Sequence, residues 1–342
     1  LVKVTYGKTR DKKMRVCQIL AGDEEGGLEK HFEELCNRLV CYHEIHVIAH
    51  EKYRKRFDQK IIFHALDLSK GRRNIVILYQ LHQMINQIDP DILHAHANKA
   101  VDMIASIKRF LKPSIKLIAT LHSKKRKLKS FEKFDHIIGV SYEVLKELKN
   151  PYQSVVYNGI DIPLQKKNSH YLAQFGIKDE FVICTVGRLE KVKNFPLLIR
   201  AIKDLAVKLI IVGDGSEVES LKHLVKEIAV EHKVVFTGFR EDVLNVIVNS
   251  NICAISSERE GFSYVMAEAL LLGIPVVSTD VGDMNKILPN AFVVPVNDEK
   301  KLTDTLRFMQ ENYQSVLENY EQSFQFAAEH FTLDAMVKQV LN

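Results

Sequence analysis

Short apolar runs alternate with amphipathic stretches along most of the 342 residues of the chain. Helical periodicity is clear over residues 28–40, where Leu28, Phe32, Leu35 and Leu39 fall on one face. Strands that alternate with helices predict parallel sheets with helices on both faces. The runs that predict strands are 14–21, 45–49, 91–95, 115–121, 136–140 and 154–157 in the first half, and 181–186, 208–212, 233–237, 251–255, 274–278 and 291–294 in the second.

A polar stretch over residues 158–180 interrupts this alternation and predicts a domain boundary. We therefore expect two Rossmann-like α/β domains, 14–165 and 166–325, that face each other across a cleft. Ligands of such sheets bind at the carboxyl ends of the strands. Residues 1–13 are polar and basic without periodicity and are expected to be a leader. Residues 326–342 are expected to form a helical segment that packs back on the N-terminal domain.

The composition is that of a globular protein, with 46% hydrophobic and 27% charged residues. No apolar run approaches the roughly 20 residues that span a bilayer, and no apolar stretch near the N-terminus is typical of a signal peptide. The five cysteines are scattered, and none forms a Cys-x-x-Cys pair. Together these features predict a cytoplasmic protein with reduced thiols.

Charge is distributed unevenly along the chain. Residues 1–165 carry a net charge of +10, and the remaining residues carry −5. A basic first half suits an anionic partner, such as a phosphate-bearing acceptor or an acidic membrane surface. No aromatic pattern suited to base stacking accompanies the charge, so nucleic acid is not an expected partner. One basic run comprises Lys124, Lys125, Arg126, Lys127 and Lys129. It is either a solvated loop or a contact for a phosphorylated lipid-linked glycan or anionic lipid.

Two glycine-containing loops follow predicted strands. In the first half, Gly26 and Gly27 precede a helix, where backbone N–H groups can approach an anion, although a tight turn explains the pair equally well. The sequence of this loop does not match the Gly-x-Gly-x-x-Gly motif of dinucleotide dehydrogenases.

In the second half, Gly187 is followed by Arg188 and Lys193, two cations that either form a solvated cluster or stabilise a leaving diphosphate. The later Gly213-Asp-Gly215-Ser segment is interpreted mainly as a strand-to-helix turn.

The densest signal lies after the predicted strand 251–255. A polar loop with Glu260 and Gly261 leads into a helix, whose first N–H groups, on Phe262, Ser263 and Tyr264, are expected to point toward an anion. Glu268 lies about two turns inside that helix among apolar neighbours, where a buried carboxylate needs a partner. Carboxylates at this spacing can bind a sugar and a ribose of one elongated ligand.

From Met14 onward the motifs resemble those of the retaining glycosyltransferase family 4, whose members have the GT-B fold. Glu260-x7-Glu268 with the following Gly273-Ile-Pro-Val-Val is the most specific match. The other matches are Gly187-Arg188 with Lys193-Asn194, the segment Asn158-Gly159-Ile160-Asp161, the segment Gly26-Gly27-Leu28-Glu29-Lys30-His31, His94 and His96 after Asp91, and the single His122. Ser263 departs from the family, which often has a second glycine there.

The resemblance implies roles for several of the matched residues. Arg188 and Lys193 would hold the donor diphosphate, Glu268 the ribose and Glu260 the hydroxyls of the transferred sugar. His122 would lie close to the forming bond. Gly26 and Gly27 would pack against donor phosphate or acceptor. On the acceptor side, the expected residues are His94, His96, Lys124, Lys125 and Arg126.

The resemblance also implies a front-face transfer in which a donor phosphate oxygen takes the acceptor proton. Protein catalysis would then consist mainly of positioning and charge stabilisation. The expected substrates are a nucleotide-diphosphate sugar, namely a UDP-sugar, and a glycan or glycolipid, with lipopolysaccharide core favoured. The alternatives are a nucleotide-sugar epimerase or a phosphorylase of similar shape, and a non-catalytic nucleotide-binding protein.

No metal cofactor is expected. His94 and His96 lie two residues apart on one face of a strand, which suits metal ligation, but the sequence shows no third ligand. Asp89 and Asp91 spell an Asp-x-Asp motif around Pro90, at a helix end where proline suits a turn. We also expect salt-sensitive peripheral attachment through the basic first domain at the cytoplasmic face of an inner membrane.

Overall fold

The computed structural model describes residues 13–23, 26–124, 128–161, 165–168 and 170–342. The chain divides into two compact units. The first contains the described residues up to Gly159 together with Thr332–Asn342, and the second is Ile160–Phe331. No described helix is both long enough and apolar enough to cross a bilayer.

The described part of the first unit contains a parallel seven-stranded sheet with the order β3-β2-β1-β4-β5-β6-β7. The central strand β1 pairs with β2 on one side and β4 on the other. The strands are Arg15–Leu20 (β1), Glu44–Ala49 (β2), Ile62–Ala65 (β3), Ile92–His96 (β4), Lys116–Leu121 (β5), His136–Gly139 (β6) and Gln153–Val155 (β7). The helices between them are Gly27–Leu39 (α1), Ile75–Ile88 (α2), Ala97–Ile107 (α3) and Tyr142–Leu145 (α4).

The first helix buries the face that its periodicity predicts. Phe32, Leu35 and Leu39 are fully buried against β1 and β2, and Leu28 packs at the margin of the same cluster. The edge strand β3 was not predicted from the sequence. Its four residues are exposed or half-buried, although residues 61–66 are mostly apolar.

The described part of the second unit contains a parallel six-stranded sheet with the order β10-β9-β8-β11-β12-β13. Its strands are Phe181–Val186 (β8), Val207–Val212 (β9), Val234–Gly238 (β10), Ile252–Ile255 (β11), Val276–Thr279 (β12) and Val293–Val294 (β13). Its helices are Phe195–Ala201 (α5), Val218–Glu227 (α6), Val243–Asn249 (α7), Tyr264–Leu271 (α8), Met284–Ile287 (α9), Glu299–Glu311 (α10), Tyr313–Asn319 (α11) and Glu321–His330 (α12). Both predicted parallel sheets are thus present, and the expected α/β class with two parallel-sheet domains is confirmed.

The chain returns to the first unit through a last helix, Leu333–Leu341 (α13). Met336 and Val340 are buried in the same apolar cluster as Leu39 of α1. Gly159 permits the return, because a Cβ atom there would lie 2.7 Å from both the Leu333 Cα and the Thr332 carbonyl oxygen.

The chain divides after Gly159, within the polar stretch 158–180 that predicts a boundary and six residues before the expected domain limit of 165. Residues up to Phe331 stay with the second unit, where the Phe331 ring is buried and lies 5.4 Å from the Phe262 ring centroid. Only Thr332–Asn342 of the predicted returning segment belongs to the first unit.

Candidate functional site

The loop after β8 is shaped by close backbone contacts. Gly187 donates to the Val212 carbonyl at 3.0 Å, and Leu189 donates to the Asp214 carbonyl at 2.8 Å. A Cβ atom at Gly213, where φ is 135°, would lie 1.9 Å from the Gly187 carbonyl oxygen. The Gly213 loop therefore does more than turn the chain, because it holds the Gly187 loop at a distance that no side chain permits.

Lys193 and Arg188, the two predicted diphosphate contacts, both lie on this loop. Lys193 ends a short 3₁₀ turn, Lys191–Lys193, and Asn194 follows with a left-handed φ of 49°. Asparagine is one of the few side chains that adopt this conformation readily, which explains its place in the motif. Arg188 is 71% exposed and forms an ion pair with Glu190 at 3.1 Å.

Glu260 meets Lys193 in the structure. The Lys193 ammonium donates to Glu260 Oε1 at 2.7 Å, and the Ser257 hydroxyl donates to the same oxygen at 2.7 Å. The loops are joined further because Ser256 donates to the Lys193 carbonyl and Glu258 donates to the Val192 carbonyl. Glu260 and Lys193 are 12% and 27% exposed, so water screens this pair only partly.

The α8 helix begins directly after this pair. Ser263 is its N-cap, and its hydroxyl accepts from the Met266 N–H at 3.2 Å. Because Ser263 has a φ of −94°, the position does not require the glycine that the family often has. Gly261 precedes the cap, and the rings of Phe262 and Tyr264 pack edge to face 5.6 Å apart.

Glu268 lies on the less buried face of α8. Met266, Ala267, Ala269 and Leu270 are buried, whereas Glu268 is half-buried. The expectation of a buried carboxylate was therefore wrong, because the apolar neighbours in the sequence turn away from Glu268 toward the core.

In the first unit, the predicted histidines converge at the carboxyl ends of two neighbouring strands. His94 and His96 lie on one face of β4, and His122 directly follows β5. His31 of α1 joins them, with its ring centroid 4.9 Å from that of His122 and 5.7 Å from that of His96. The sequence matched His31 only as the end of the Gly26–His31 segment and gave it no role, because only the tertiary fold brings α1 beside these strands.

Burial keeps all four imidazoles neutral at ordinary pH. Desolvation lowers the pKa of His31 to about 4, against a small opposing effect of Asn158, and lowers the pKa of His94 to about 3. Desolvation and the neighbouring rings hold the pKa values of His96 and His122 well below the usual range.

The glycine loop before α1 faces a carboxylate of its own helix. Glu29 is buried, and a Cβ atom at Gly26 would lie 3.4 Å from Glu29 Oε2. Gly26 is the N-cap of α1, and Gly27 is the first helical residue. The position expected to receive a phosphate or acceptor therefore has an acidic group next to it, to which the family resemblance gives no role.

The basic run is only partly described. Lys124 lies 3.1 Å from Glu143 and 3.3 Å from Glu147, and these hydrogen bonds raise its pKa. Lys125, Arg126 and Lys127 lie outside the described residues. Lys129 lines a cavity of about 560 Å³ together with Arg72, Arg73, Asn98, Asp102 and Ser106.

Two family models match the chain. The family described as Glycosyltransferase Family 4 matches residues 25–163, and Glycosyl transferases group 1 matches residues 169–326. The two matches fall on the first and second unit respectively, apart from the few residues nearest their junction.

Curated relatives are similar over parts of their length. The chain is 25% identical to N-acetyl-alpha-D-glucosaminyl L-malate synthase of Bacillus anthracis, over 68% of each chain. It is 38% identical to N-acetylgalactosamine-N,N'-diacetylbacillosaminyl-diphospho-undecaprenol 4-alpha-N-acetylgalactosaminyltransferase of Campylobacter jejuni, over 37% of this chain and 34% of that one. It is 25% identical to the O-antigen biosynthesis glycosyltransferase WclY of Escherichia coli, over 57% and 56%. The matched regions thus span between about one third and two thirds of these relatives.

Solved structures share the fold over almost the whole chain. Anabaena HepE in complex with UDP superposes with a TM-score of 0.84 at 20% identity, covering 96% of this chain and 98% of that one. The lipopolysaccharide outer core galactosyltransferase WaaB superposes with a TM-score of 0.72 at 16% identity, covering 95% and 100%. At these identities the similarity concerns the fold.

Proposed function

We propose a reaction for this chain on the premise that it belongs to the GT4-like glycosyltransferases of the GT-B fold. In the proposed reaction, the protein transfers a hexose-type sugar from a UDP-sugar to a glycan or glycolipid with retention of configuration. The observation that carries the proposal is the contact of Lys193 with Glu260 at 2.7 Å, between the loops that follow β8 and β11. Parallel α/β sheets bind their ligands at this end of the strands.

The proposed donor is bound by the second unit. Both described contacts of Glu260 fall on Oε1, so among the described residues Oε2 is the oxygen available to accept from a sugar hydroxyl. Arg188 and Lys193 place two positive charges on one loop, where they can stabilise the diphosphate as its negative charge grows. The half-buried Glu268 is proposed to bind the ribose hydroxyls. HepE structures with UDP and with UDP-glucose support the choice of nucleotide.

The proposed chemistry needs no protein nucleophile. The acceptor oxygen forms a bond to the anomeric carbon on the face from which the diphosphate oxygen leaves, and a donor phosphate oxygen takes the acceptor proton. His122, a neutral imidazole, is proposed to lie near the transferred sugar as a hydrogen-bonding group. No metal is proposed as a cofactor, because Arg188 and Lys193 supply cationic charge for the leaving group.

The cavity in the first unit is the proposed acceptor site. Arg72, Arg73 and Lys129 give it three cations, of which Arg72 is paired with Asp102 at 2.6 Å. The buried Oδ1 atom of Asn98 makes no hydrogen bond within the described part of the chain and can accept one from a sugar hydroxyl. These groups suit a phosphate-bearing glycan, as in lipopolysaccharide core or a lipid-linked precursor. The diphospho-undecaprenol acceptor in the name of the Campylobacter relative supports this class.

Peripheral attachment to an anionic membrane is proposed through the start of α2. Ile75, Val76 and Tyr79 are large apolar residues that are mostly exposed, and Arg72 and Arg73 lie just before the N-cap Asn74. Such a surface combines apolar insertion with charge attraction. In liposome sedimentation, binding should increase with anionic lipid, fall with salt and fall on Ile75→Ser with Val76→Ser. Neutralising Lys300 and Lys301 in the second unit is the control. Binding that does not depend on the anionic lipid content would contradict the proposal.

The catalytic proposal is tested with single substitutions on the Gly187 loop. Arg188→Ala and Lys193→Ala should each lower kcat by about 100-fold, because the leaving-group charge develops only in the transition state. Lys191→Ala is the matched control, since Lys191 is exposed and lies in the same 3₁₀ turn. The measurement is product formation by mass spectrometry over a screen of UDP-sugars and acceptors. A wild-type kcat with only a raised KM would show that these cations bind the ground state.

A further inference from the structure

The spacing of His31, His96 and His122 matches that of a trihistidine metal centre. Their ring centroids are 4.9, 5.7 and 5.7 Å apart. Three imidazoles bound through one nitrogen each to a tetrahedral Zn²⁺ at 2.0–2.1 Å have centroids about 5.2 Å apart. One nitrogen from each ring lies within 4.8 Å of the others. Small side-chain rotations therefore bring the three nitrogens to the separation of about 3.3 Å that such an ion requires.

His96 is oriented for ligation by a neighbouring amide. The buried Gln18 side chain accepts a hydrogen bond through Oε1 from His96 Nε2 at 2.8 Å. Because Nε2 then carries the proton of a neutral ring, His96 Nδ1 presents a lone pair. That buried Nδ1 atom makes no hydrogen bond within the described ranges. A metal-binding histidine is typically held in this way, with its second nitrogen donating to an oxygen.

The other two rings complete the cluster. The Nε2 atom of His122 is buried and has no hydrogen-bond partner among the described residues, and the nitrogens of His31 make no hydrogen bond of standard geometry there. Phe32 packs edge to face on His96 at 4.9 Å and makes one wall apolar. His122 is half-buried as a residue, whereas His31 and His96 are buried.

Proton competition does not oppose ligation. A histidine binds metal as the neutral ring, and burial lowers the pKa of all three rings below the neutral range. An all-imidazole set favours Zn²⁺ and related ions over Mg²⁺ or Ca²⁺, which prefer oxygen ligands.

We propose that His31, His96 and His122 form a binding site for one divalent ion of the Zn²⁺ class, with the fourth position left to water, and that the bound ion inhibits sugar transfer. The inhibition follows because the ion takes the lone pair of His122. That second clause depends on the proposed function, whereas metal binding does not.

Binding is tested on the full chain after chelator treatment and desalting. The exposed thiol of Cys41 is first replaced in a Cys41→Ser background, so that it cannot capture the probe. Titration with Co²⁺ should give one equivalent with the intense visible bands of a tetrahedral site, and Zn²⁺ should displace it. X-ray absorption of the Zn²⁺ form should show nitrogen neighbours at about 2.0 Å with imidazole scattering.

Two ligand variants and one matched control identify the site. His31→Gln and His96→Gln should each weaken Co²⁺ binding by at least about 100-fold, since loss of a group that merely orients a ligand costs about 10–100-fold. His64→Gln is the control, because His64 belongs to a separate pair with His46 at 2.9 Å. Weakening by His64→Gln, with the cluster variants binding normally, would overturn the proposal. If circular dichroism shows that a cluster variant is misfolded, X-ray absorption of the Zn²⁺-bound chain with all three histidines tests the ligand assignment instead. A shell of sulfur ligands or of oxygen ligands alone would overturn the assignment.

The inhibitory clause has its own readout. Zn²⁺ should lower the transfer rate of the Cys41→Ser chain with a midpoint equal to its Kd from the titration. The midpoint should shift by at least about 100-fold in His31→Gln, measured against the metal-free rate of that variant. If the ion binds without lowering the transfer rate, only the proposed inhibition is refuted. A metal-free chain that transfers no sugar with any donor would contradict the proposed function and leave the metal site standing.

Discussion

Gly213→Ala tests whether the Gly187 loop is held by backbone contact. The new methyl group would start 1.9 Å from the Gly187 carbonyl oxygen, at a φ of 135° that an alanine rarely adopts. The strained backbone costs about 1–3 kcal/mol. Moving the loop away strains two hydrogen bonds, from Gly187 to Val212 and from Leu189 to Asp214, each with a net value of about 0.5–1.5 kcal/mol. We therefore expect a loss of about 3 kcal/mol or more in the free energy of unfolding.

Gly176→Ala is the matched control. Its φ is 72°, also positive, but no atom lies within 4 Å of the added methyl group. The loss there should be about 1–2 kcal/mol, which reflects the backbone alone. Urea unfolding gives both values, and UDP titration of the folded variants should show weaker binding only for Gly213→Ala, whose shift displaces Arg188 and Lys193. Equal losses in the two variants would refute the close-contact reasoning.

Three further predictions concern the ribose contact, the metal and the histidines. Glu268→Ala should weaken UDP binding by about 10–150-fold, since a hydrogen bond to a charged group contributes about 1.5–3 kcal/mol. If calorimetry shows unchanged UDP affinity for a folded variant, Glu268 does not bind the ribose. Transfer should survive EDTA, and a loss restored by Mg²⁺ or Mn²⁺ would show a required metal after all. The pKa of His31 falls on folding from 6.5 to about 4, so the unfolded chain takes up the proton first as pH falls. The contribution of neutral His31 to the free energy of unfolding is thus complete above about pH 6.5 and declines by about 3 kcal/mol toward pH 4. Urea midpoints should therefore fall less over this pH range in His31→Gln than in the unaltered chain. Equal slopes in the two proteins would contradict the assignment.

Periodicity was sufficient to predict the strands that build the two sheets, because parallel strands are buried on both faces and therefore form continuous apolar runs. The short edge strand β3 was not predicted although residues 61–66 are mostly apolar, and its exposed Ile62 and Ala65 show that this edge strand is not buried on both faces. The division after Gly159 lies at the start of the polar stretch 158–180, so polarity indicated the region, whereas the close approach of Gly159 to Thr332 and Leu333 has no local signal in the sequence.

The site was predictable where its residues are neighbours in sequence. Glu260 and Ser263 flank the start of one helix, and the pattern of a strand, a loop and a helix indicates this directly. The contact of Glu260 with Lys193 and the meeting of His31 with His122 depend instead on strand order and helix packing. Such pairings carry no local signal, so the sequence placed His94 beside His96 and gave His31 only as part of the Gly26–His31 segment, without relating it to the other histidines.

The return of the chain to its first unit has a consequence for synthesis on the ribosome. Met336 and Val340 cover an apolar face beside Leu39, and translation reaches them only after the whole of Ile160–Phe331. At about 5–20 residues per second, that interval is on the order of 10–30 s. During it the nascent first unit presents an uncovered apolar face, so it is a natural client for a chaperone until α13 emerges.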